Sequence, residues 1–170
     1  MPKVVILILS TVDPAYSSFI RACESTWVRT ARENLIPCIF YSGSARETYY
    51  DGEKLQLKSD DTTQNSASKL LAALSFLENL DIEYDYIFRT NLTTFIYVKS
   101  LIKYINSQCS QDLYAGSIRV FNVNDLKRFE VFRKIYNLIY PGNKKIKFAE
   151  GSGFLISKKN VGKLLSDKHL

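Results

Sequence analysis

Hydrophobic and polar residues occur in alternating blocks along the chain, and these blocks predict strands and helices in turn. Short continuous apolar runs are typical of strands that are covered on both faces, whereas apolar residues three and four positions apart indicate amphipathic helices. Strands are predicted over residues 3–9, 36–41, 54–58 and 84–89, in a pair around 113–121, and at 145–148 and 154–157. Helices are predicted over residues 15–32, 62–79, 94–108 and 125–140, and from about residue 159 onwards.

This alternation of strands and helices predicts an α/β fold. We expect a mostly parallel central sheet that is flanked by helices on both faces, which makes a three-layer sandwich. No internal repeat, low-complexity tract or linker interrupts the pattern. Residues 1–170 are therefore expected to form a single domain.

The charge of the chain is basic, with 23 Lys and Arg against 17 Asp and Glu and a formal net charge of +6. This balance suits an anionic ligand such as a nucleotide diphosphate, a nucleic acid or an acidic membrane, and it equally suits a soluble surface that is rich in lysine. Aromatic residues near the basic clusters, such as Phe129, Phe132, Tyr136 and Tyr140, recur at helical spacing and are assigned to a core. Nucleic-acid binding is not expected.

The cysteines and the first apolar run bear on the compartment. Cys23, Cys38 and Cys109 are odd in number and scattered, which favours neither a disulfide framework nor a zinc site and fits a reducing compartment. The apolar run at 3–9 is too short to span a membrane, and no small-residue cleavage site follows it. We expect no transmembrane segment, no signal peptide and a cytoplasmic location.

Several enzyme classes are disfavoured by what the chain lacks. Its single histidine, His169, lies one residue from the end, which argues against Ser-His-Asp and Cys-His catalysis and against a histidine-rich metal site. The glycine fingerprints of dinucleotide binding and of the phosphate-binding P-loop are also missing. A Rossmann dehydrogenase and a P-loop kinase are therefore both disfavoured.

Polar residues follow three of the predicted strands, at 10–13, 59–61 and 89–91. The segment 84–95, YDYIFRTNLTTF, is the most informative, because an apolar strand runs into Arg89, Thr90 and Asn91 and then into a predicted helix start. In a parallel sheet the carboxyl ends of strands share one edge, and ligands bind in the crevice there. The sequence therefore predicts a pocket at this edge.

Each polar position also has a purely structural interpretation. Asp61 with Gln64 resembles a capping pair for the helix from Thr62, and Thr93 or Thr94 resembles the cap of the next helix. Arg89 is harder to explain structurally, because a strand this apolar rarely ends on a charge unless that charge is solvated or paired.

Five pieces of sequence, taken in order, resemble one family. They are Arg21 with Glu24-Ser25-Thr26-Trp27, the segment LKSDD at 57–61, Lys69 followed by Ala72-Ala73-Leu74, the segment YDYIFRTN at 84–91, and the segment GSGFLIS at 151–157. This order and spacing resemble the fringe and β-1,3-galactosyltransferase-like glycosyltransferases of the GT-A fold, over nearly the whole chain.

The resemblance implies that a sugar is transferred, with inversion, from a nucleotide sugar, commonly a UDP-sugar, to a hydroxyl of a glycan or other acceptor. By position, Thr11 and Arg21 would lie near the nucleotide, Asp60 or Asp61 near the base or ribose, and Lys69 near the site. Arg89, Thr90 and Asn91 would lie at the diphosphate, where cations stabilise the charge that develops on the leaving group. The missing signal anchor would suit a bacterial or virus-encoded member working in the cytosol.

The chain departs from the family at its metal site and at its catalytic base. Asn91 and Thr93 occupy the positions of the two aspartates of the Asp-x-Asp motif that hold Mn²⁺ or Mg²⁺, and neutral oxygens are weaker ligands than carboxylates. Either the diphosphate and water hold most of a cation, or Arg89 with nearby lysines replaces it, or the site does not catalyse. The family continues past the glycine segment to an acidic pair that supplies the base, whereas the sequence given stops at Leu170. On this resemblance we expect a domain without the family's C-terminal segment.

Glu150 is the nearest carboxylate that could take a proton from an acceptor hydroxyl, or it is only a solvated turn residue.

Two functions therefore stay open. The first function is a nucleotide-sugar-dependent hexosyltransferase. The alternative is a non-catalytic module that binds a nucleotide sugar or a glycan on the same fold.

Overall fold

The fold is a seven-stranded mixed sheet with helices against both faces. The computed structural model describes residues 2–80, 82–108, 111–122 and 145–166. The strands, in chain order, are β1 Val4–Leu9, β2 Cys38–Ser42, β3 Tyr49–Tyr50, β4 Lys54–Gln56, β5 Tyr86–Asn91, β6 Tyr114–Asn122 and β7 Lys145–Ser157. The α-helices are α1 Ser17–Cys23, α2 Arg29–Glu33, α3 Ser66–Glu78, α4 Val98–Asn106 and α5 Lys158–Ser166, with 3-10 turns at Pro14–Tyr16 and Thr63–Asn65. The helix predicted over 125–140 lies outside the described residues.

The strand order is β3-β4-β2-β1-β5-β7-β6. The central strands β4, β2, β1 and β5 run parallel, and β3, β7 and β6 each pair antiparallel with their neighbours. The α/β class is confirmed, and the sheet is mixed, with three parallel and three antiparallel pairings between neighbouring strands in the described part of the chain. Short apolar runs carry no information on strand direction, which is why the alternation of elements did not reveal the antiparallel edges.

Two apolar cores lie on opposite faces of the sheet. One face of β1, carrying Ile6 and Ile8, packs with Trp27, Val28 and residues of α1, α2 and α4. The other face, carrying Val5 and Leu7, packs against α3 and α5. Residues Val5 to Ile8 are almost completely buried, as a central strand between two helix layers requires.

The first predicted helix, 15–32, contains a wide turn. Between α1 and α2 the chain forms a π-type turn over Glu24–Val28, and Thr26 leaves helical geometry with φ −119° and ψ −106°. An extra residue in one turn rotates the positions that follow it around the helix axis. This rotation accompanies the burial of both Trp27 and Val28.

Three predicted boundaries are wrong. The helix expected from residue 94 begins at Val98 with Tyr97 as its N-cap, so β5 does not run directly into a helix and neither Thr93 nor Thr94 is its N-cap. The strand expected at 54–58 ends at Gln56 and pairs with the unpredicted β3 inside a presumed loop. The strands expected at 145–148 and 154–157 are one strand, β7, with a shift in its pairing where a glycine turn was expected.

No helix in the described part of the chain is long and apolar enough to cross a membrane.

Candidate functional site

The candidate site lies at the carboxyl ends of β1 and β5. From β1 the chain passes to β2 on one side and later returns to β5 on the other, so the sheet changes its direction of winding between β1 and β5. Open α/β sheets bind ligands in the crevice at such a point. A cavity of about 570 Å³ opens there, and its described lining includes Leu9, Ser10, Thr11, Asp13, Tyr16, Asp61, Thr62, Ser66, Lys69, Arg89, Asn91, Leu92, Thr93 and Gly151. Its volume is in the range of small-molecule sites.

Asp61 is the polar centre of one wall of this cavity. Its Oδ2 accepts hydrogen bonds from the Thr11 hydroxyl at 2.7 Å and the Val12 N–H at 2.8 Å. Its Oδ1 accepts from the Gly43 N–H at 3.0 Å and from Nζ of Lys69 at 2.8 Å. One carboxylate therefore joins the ends of β1 and β2 to helix α3.

The charge of Asp61 is held by these contacts. Burial alone would raise the pKa of Asp61, but the hydrogen bonds from Lys69, Thr11, Gly43 and Val12 outweigh it and lower the pKa to about 2. The Lys69 side chain is 3% exposed and the Asp61 side chain 7%. The two residues thus form a buried ion pair, and removal of either charge would leave the other unpaired.

Gly43 allows the loop before Asp61 to approach the end of β2. A Cβ at this position would lie 2.6 Å from the carbonyl oxygen of Ser59 and 2.9 Å from the carbonyl carbon of Asp60. The next residue, Ser44, donates its N–H to the same Ser59 carbonyl. A side chain at residue 43 would therefore push away the segment that carries Asp61.

Arg89 is a buried cation in the wall of the cavity. It lies within β5 rather than beyond its end, opposite Phe154 of β7, and it is 5% exposed. Its Nε donates to the Tyr41 hydroxyl at 3.2 Å, and its Nη1 donates to the carbonyl oxygen of Gly151. No carboxylate among the described side chains forms an ion pair with it. A buried charge that is not paired is costly, which favours an anionic ligand at this position.

The glycine segment supports Arg89 through its backbone. Between Gly116 and Ile118 the partner positions on β7 move from Phe154 to Ala149, so residues 150–153 bulge out of the β6–β7 pairing. A Cβ on Gly151 would lie 2.8 Å from Nη1 of Arg89 and 3.6 Å from Nδ2 of Asn91. The absence of a side chain at residue 151 is therefore what lets its carbonyl approach the guanidinium.

Asn91 and Thr93, which the resemblance to GT-A glycosyltransferases assigns to a substituted metal motif, both line the cavity. The Oδ1 atom of Asn91 is buried and has no hydrogen-bond partner among the described residues. No group of three His, Cys, Asp or Glu side chains that could hold a metal occurs in the described part of the chain. Two neutral oxygens do not make a divalent-cation site of the usual kind, and the cations in the described lining of the cavity are Arg89 and Lys69.

The structure brings together six of the residues that the sequence singled out: Thr11, Asp61, Lys69, Arg89, Asn91 and Thr93. Arg21 and Asp60 are exposed and lie outside the described lining of the cavity. Thr90 is fully buried and donates its hydroxyl to the Ser152 carbonyl at 2.9 Å, so it serves the sheet rather than the cavity. Glu150 falls in β7, but its side chain lies outside the described residues.

Sequence reasoning missed Tyr41, Gly43 and Tyr16. Tyr41 belongs to an apolar strand and resembles an ordinary core residue, and burial raises the pKa of its hydroxyl despite the neighbouring Arg89 guanidinium. A signal for Gly43 was present, since it comes two residues after the apolar run that ends at Tyr41. Tyr16 lines the cavity from the 3-10 turn Pro14–Tyr16, which Asp13 caps by accepting the Ala15 N–H at 2.9 Å.

A second cavity, of about 530 Å³, shares Arg89 with the first. It is mostly apolar and lies between α3 and α5, where Leu70, Leu74, Phe154 and Leu164 contribute to its wall.

No protein-family model matches this chain, and a search of curated proteins finds no match.

Proposed function

We propose that this chain is a glycosyltransferase that moves a sugar from a nucleotide sugar, in the first instance a UDP-sugar, to a hydroxyl of a glycan or other acceptor with inversion. The observation that carries the proposal is the buried Arg89 guanidinium, which lies in the wall of a polar cavity at the β1–β5 switch point without a carboxylate partner among the described side chains. The sequence resemblance to GT-A glycosyltransferases supplies the reaction.

The chemistry assigned to Arg89 is electrostatic. When the glycosidic bond to the donor breaks, the leaving nucleoside diphosphate gains negative charge. A cation that is already fixed in place stabilises this charge more in the transition state than in the ground state. Tyr41 and Gly151 fix the guanidinium before any ligand binds, so little reorganisation is needed during the reaction.

The Asp61 and Lys69 pair orders the opposite wall. Because Asp61 already accepts four hydrogen bonds, its role in this proposal is to hold Thr11 and Lys69 at the cavity. Glu150 is the candidate base for the acceptor hydroxyl, since its neighbour Gly151 lines the cavity.

A thermal-shift screen of uridine and guanosine diphosphate sugars, with and without Mn²⁺, tests the proposal. A ligand at a hundred times its Kd stabilises the folded state by about 2.7 kcal/mol, which gives a clear rise in Tm. We expect a shift with at least one nucleotide sugar that is lost in Arg89→Met and kept in the matched control Arg29→Met, whose side chain is exposed. No shift with any of these nucleotide sugars would refute the proposal.

A second function, binding without turnover, is favoured by one specific observation. Asn91 and Thr93 stand where the family's metal-binding carboxylates would be. If the chain only binds, the nucleotide sugar will raise Tm while no nucleoside diphosphate is released over long incubation with an acceptor and Mn²⁺. Release that depends on Arg89 would instead establish the transferase.

A further inference from the structure

Exposed aromatic side chains occur in two pairs beside the polar cavity. Tyr16 and Phe19 are 41% and 44% exposed, and their ring centroids lie 5.9 Å apart. Phe95 and Tyr97 are 59% and 77% exposed, and their rings meet edge to face with centroids 5.4 Å apart. Large aromatic rings are expensive to leave in water, so two such pairs next to one cavity require an explanation.

Both pairs belong to segments that form the cavity wall. Tyr16 lines the cavity itself, and Phe95 and Tyr97 follow Leu92 and Thr93, which line it from the end of β5. The two segments contact each other, because the Cys23 thiol of α1 donates to the Leu92 carbonyl at 3.3 Å. Both aromatic pairs therefore belong to neighbouring segments of the same cavity wall.

The rings point outwards because the residues next to them in the sequence pack into the core. Ile96, between Phe95 and Tyr97, is 7% exposed and packs with Leu92 and Cys23 in the same core cluster. Ile20, next to Phe19, packs against that cluster. Ile96 and Ile20 anchor the backbone of both segments to the core, so the exposed rings are attached to well-packed backbone.

We propose that these two pairs form an aromatic rim that binds the pyranose ring of a saccharide acceptor. A pyranose has a face of polarised C–H groups, which suits the electron-rich face of an aromatic ring, and an edge of hydroxyls, which needs polar neighbours. Asp13 and Thr93, which line the cavity within three residues of Tyr16 and Phe95 in the sequence, supply such polar groups. A purely apolar partner would instead require a continuous apolar patch.

The role of the rim as an acceptor site rests on the proposed function. Saccharide binding by the rim can nevertheless be measured separately from nucleotide binding. The test uses saturation-transfer NMR with methyl glycosides of glucose, galactose and N-acetylglucosamine as probes. We expect saturation of the ring C–H protons of at least one glycoside. We also expect a roughly three- to tenfold loss of affinity in the double variants Tyr16→Ala/Phe19→Ala and Phe95→Ala/Tyr97→Ala.

Two controls separate the rim from general effects and from the nucleotide site. Tyr49→Ala removes a ring that is 50% exposed on the edge strand β3, and it should leave glycoside affinity unchanged. UDP affinity, measured by calorimetry on Phe95→Ala/Tyr97→Ala, should be kept, because these two residues lie outside the described lining of the cavity. Because all four rim residues are exposed, each variant should also keep the parental melting temperature.

The proposal is overturned if no glycoside is saturated, or if the rim variants bind glycosides as the parent does. It is also overturned if Phe95→Ala/Tyr97→Ala loses UDP affinity while its glycoside binding persists, because these rings would then stack on the nucleobase. If no nucleotide sugar binds but the glycoside results hold, the transferase proposal fails and the rim stands as a saccharide site.

Discussion

The Tyr41 hydroxyl accepts a hydrogen bond from Nε of Arg89 at 3.2 Å, across the central strand β1. Tyr41 pairs with Leu9 and Arg89 with Leu7, so the two residues lie on strands that do not touch each other. Tyr41 is completely buried and Arg89 nearly so. The hydroxyl is therefore part of what makes a guanidinium acceptable at this depth.

Tyr41→Phe should weaken both the fold and ligand binding. The change removes one oxygen, keeps the ring in the core and leaves the Nε–H of a buried cation unsatisfied, which typically costs about 1–3 kcal/mol. Urea unfolding should show a lower free energy of unfolding. Tyr49→Phe, which alters an exposed hydroxyl on β3, is the control and should have little effect.

Tyr41→Phe also shows whether Tyr41 positions the Arg89 side chain or only stabilises the fold. If Tyr41 only fills the core, the affinity for a nucleoside diphosphate, measured well below the melting temperature, will match that of the parent. If it positions Arg89, affinity will fall even where the protein is fully folded. An unchanged affinity together with an unchanged free energy of unfolding would contradict the role given to this hydrogen bond.

Much of the sheet was predictable because β1 and β2 are almost entirely apolar and β5 begins with an apolar run, and such runs identify buried strands. The convergence of Thr11, Asp61 and Arg89 also followed, since polar residues at the ends of parallel strands meet at one edge, whereas Lys69 was singled out only by the resemblance. Tyr41 and Gly151 could not be found in this way. Their contacts with Arg89 depend on the register of strands that are 48 and 62 residues apart in sequence, and no local pattern encodes that register.

The antiparallel part of the sheet also contains a feature that the sequence could not predict. The glycine segment at 151–153 was expected to be a turn, because glycine commonly marks a change of direction. Here it is a bulge within β7, where glycine instead permits a close approach of backbone to a side chain. Both interpretations fit the same residues, and only the tertiary contact with Arg89 distinguishes them.

Asp61→Asn should be among the most destabilising single changes at the site. The amide keeps the size of the side chain but removes the charge that pairs with Lys69, and an unpaired buried charge typically costs about 3–5 kcal/mol. Asp112, which pairs with Lys159 and Lys163 at the surface, is the matched control. Chemical denaturation should show a large loss for Asp61→Asn and little change for Asp112→Asn.

The double variant Asp61→Asn/Lys69→Met tests the origin of that loss. Since it removes both charges, much of the stability lost in Asp61→Asn should return. If the double variant is as unstable as the single one, the hydrogen bonds to Thr11, Val12 and Gly43 would carry the effect instead of the ion pair.

Asp61 should also give the protein a specific acid sensitivity. Its pKa is about 2 in the folded state against an ordinary value of 3.8, so the folded state favours the ionised form. The resulting stability is fully present above about pH 4 and is lost as the pH falls towards 2. Asp61→Asn should therefore flatten the dependence of the free energy of unfolding on pH in this range.

High salt makes this pH measurement selective. The pKa of Asp112 is also lowered to about 2, by its hydrogen bonds with Lys163 and Lys159, but these groups are exposed and are screened by salt. At high ionic strength the remaining slope between pH 4 and 2 should belong mainly to Asp61 and the other buried contacts. A slope that Asp61→Asn leaves unchanged would contradict the pKa assigned to this residue.

Two glycine substitutions should have opposite effects. In Gly151→Ala the new Cβ would lie 2.8 Å from Nη1 of Arg89, and because Arg89 is buried it has little room to move. We expect a loss of stability and a larger loss of nucleotide affinity. Gly162→Ala lies in helix α5 with no atom within 4 Å of the new Cβ, and alanine there should stabilise the protein by roughly 0.5–1 kcal/mol. Melting curves and UDP titrations of both variants measure the contrast. Equal nucleotide affinities in the two variants would show that the Gly151 backbone does not position Arg89.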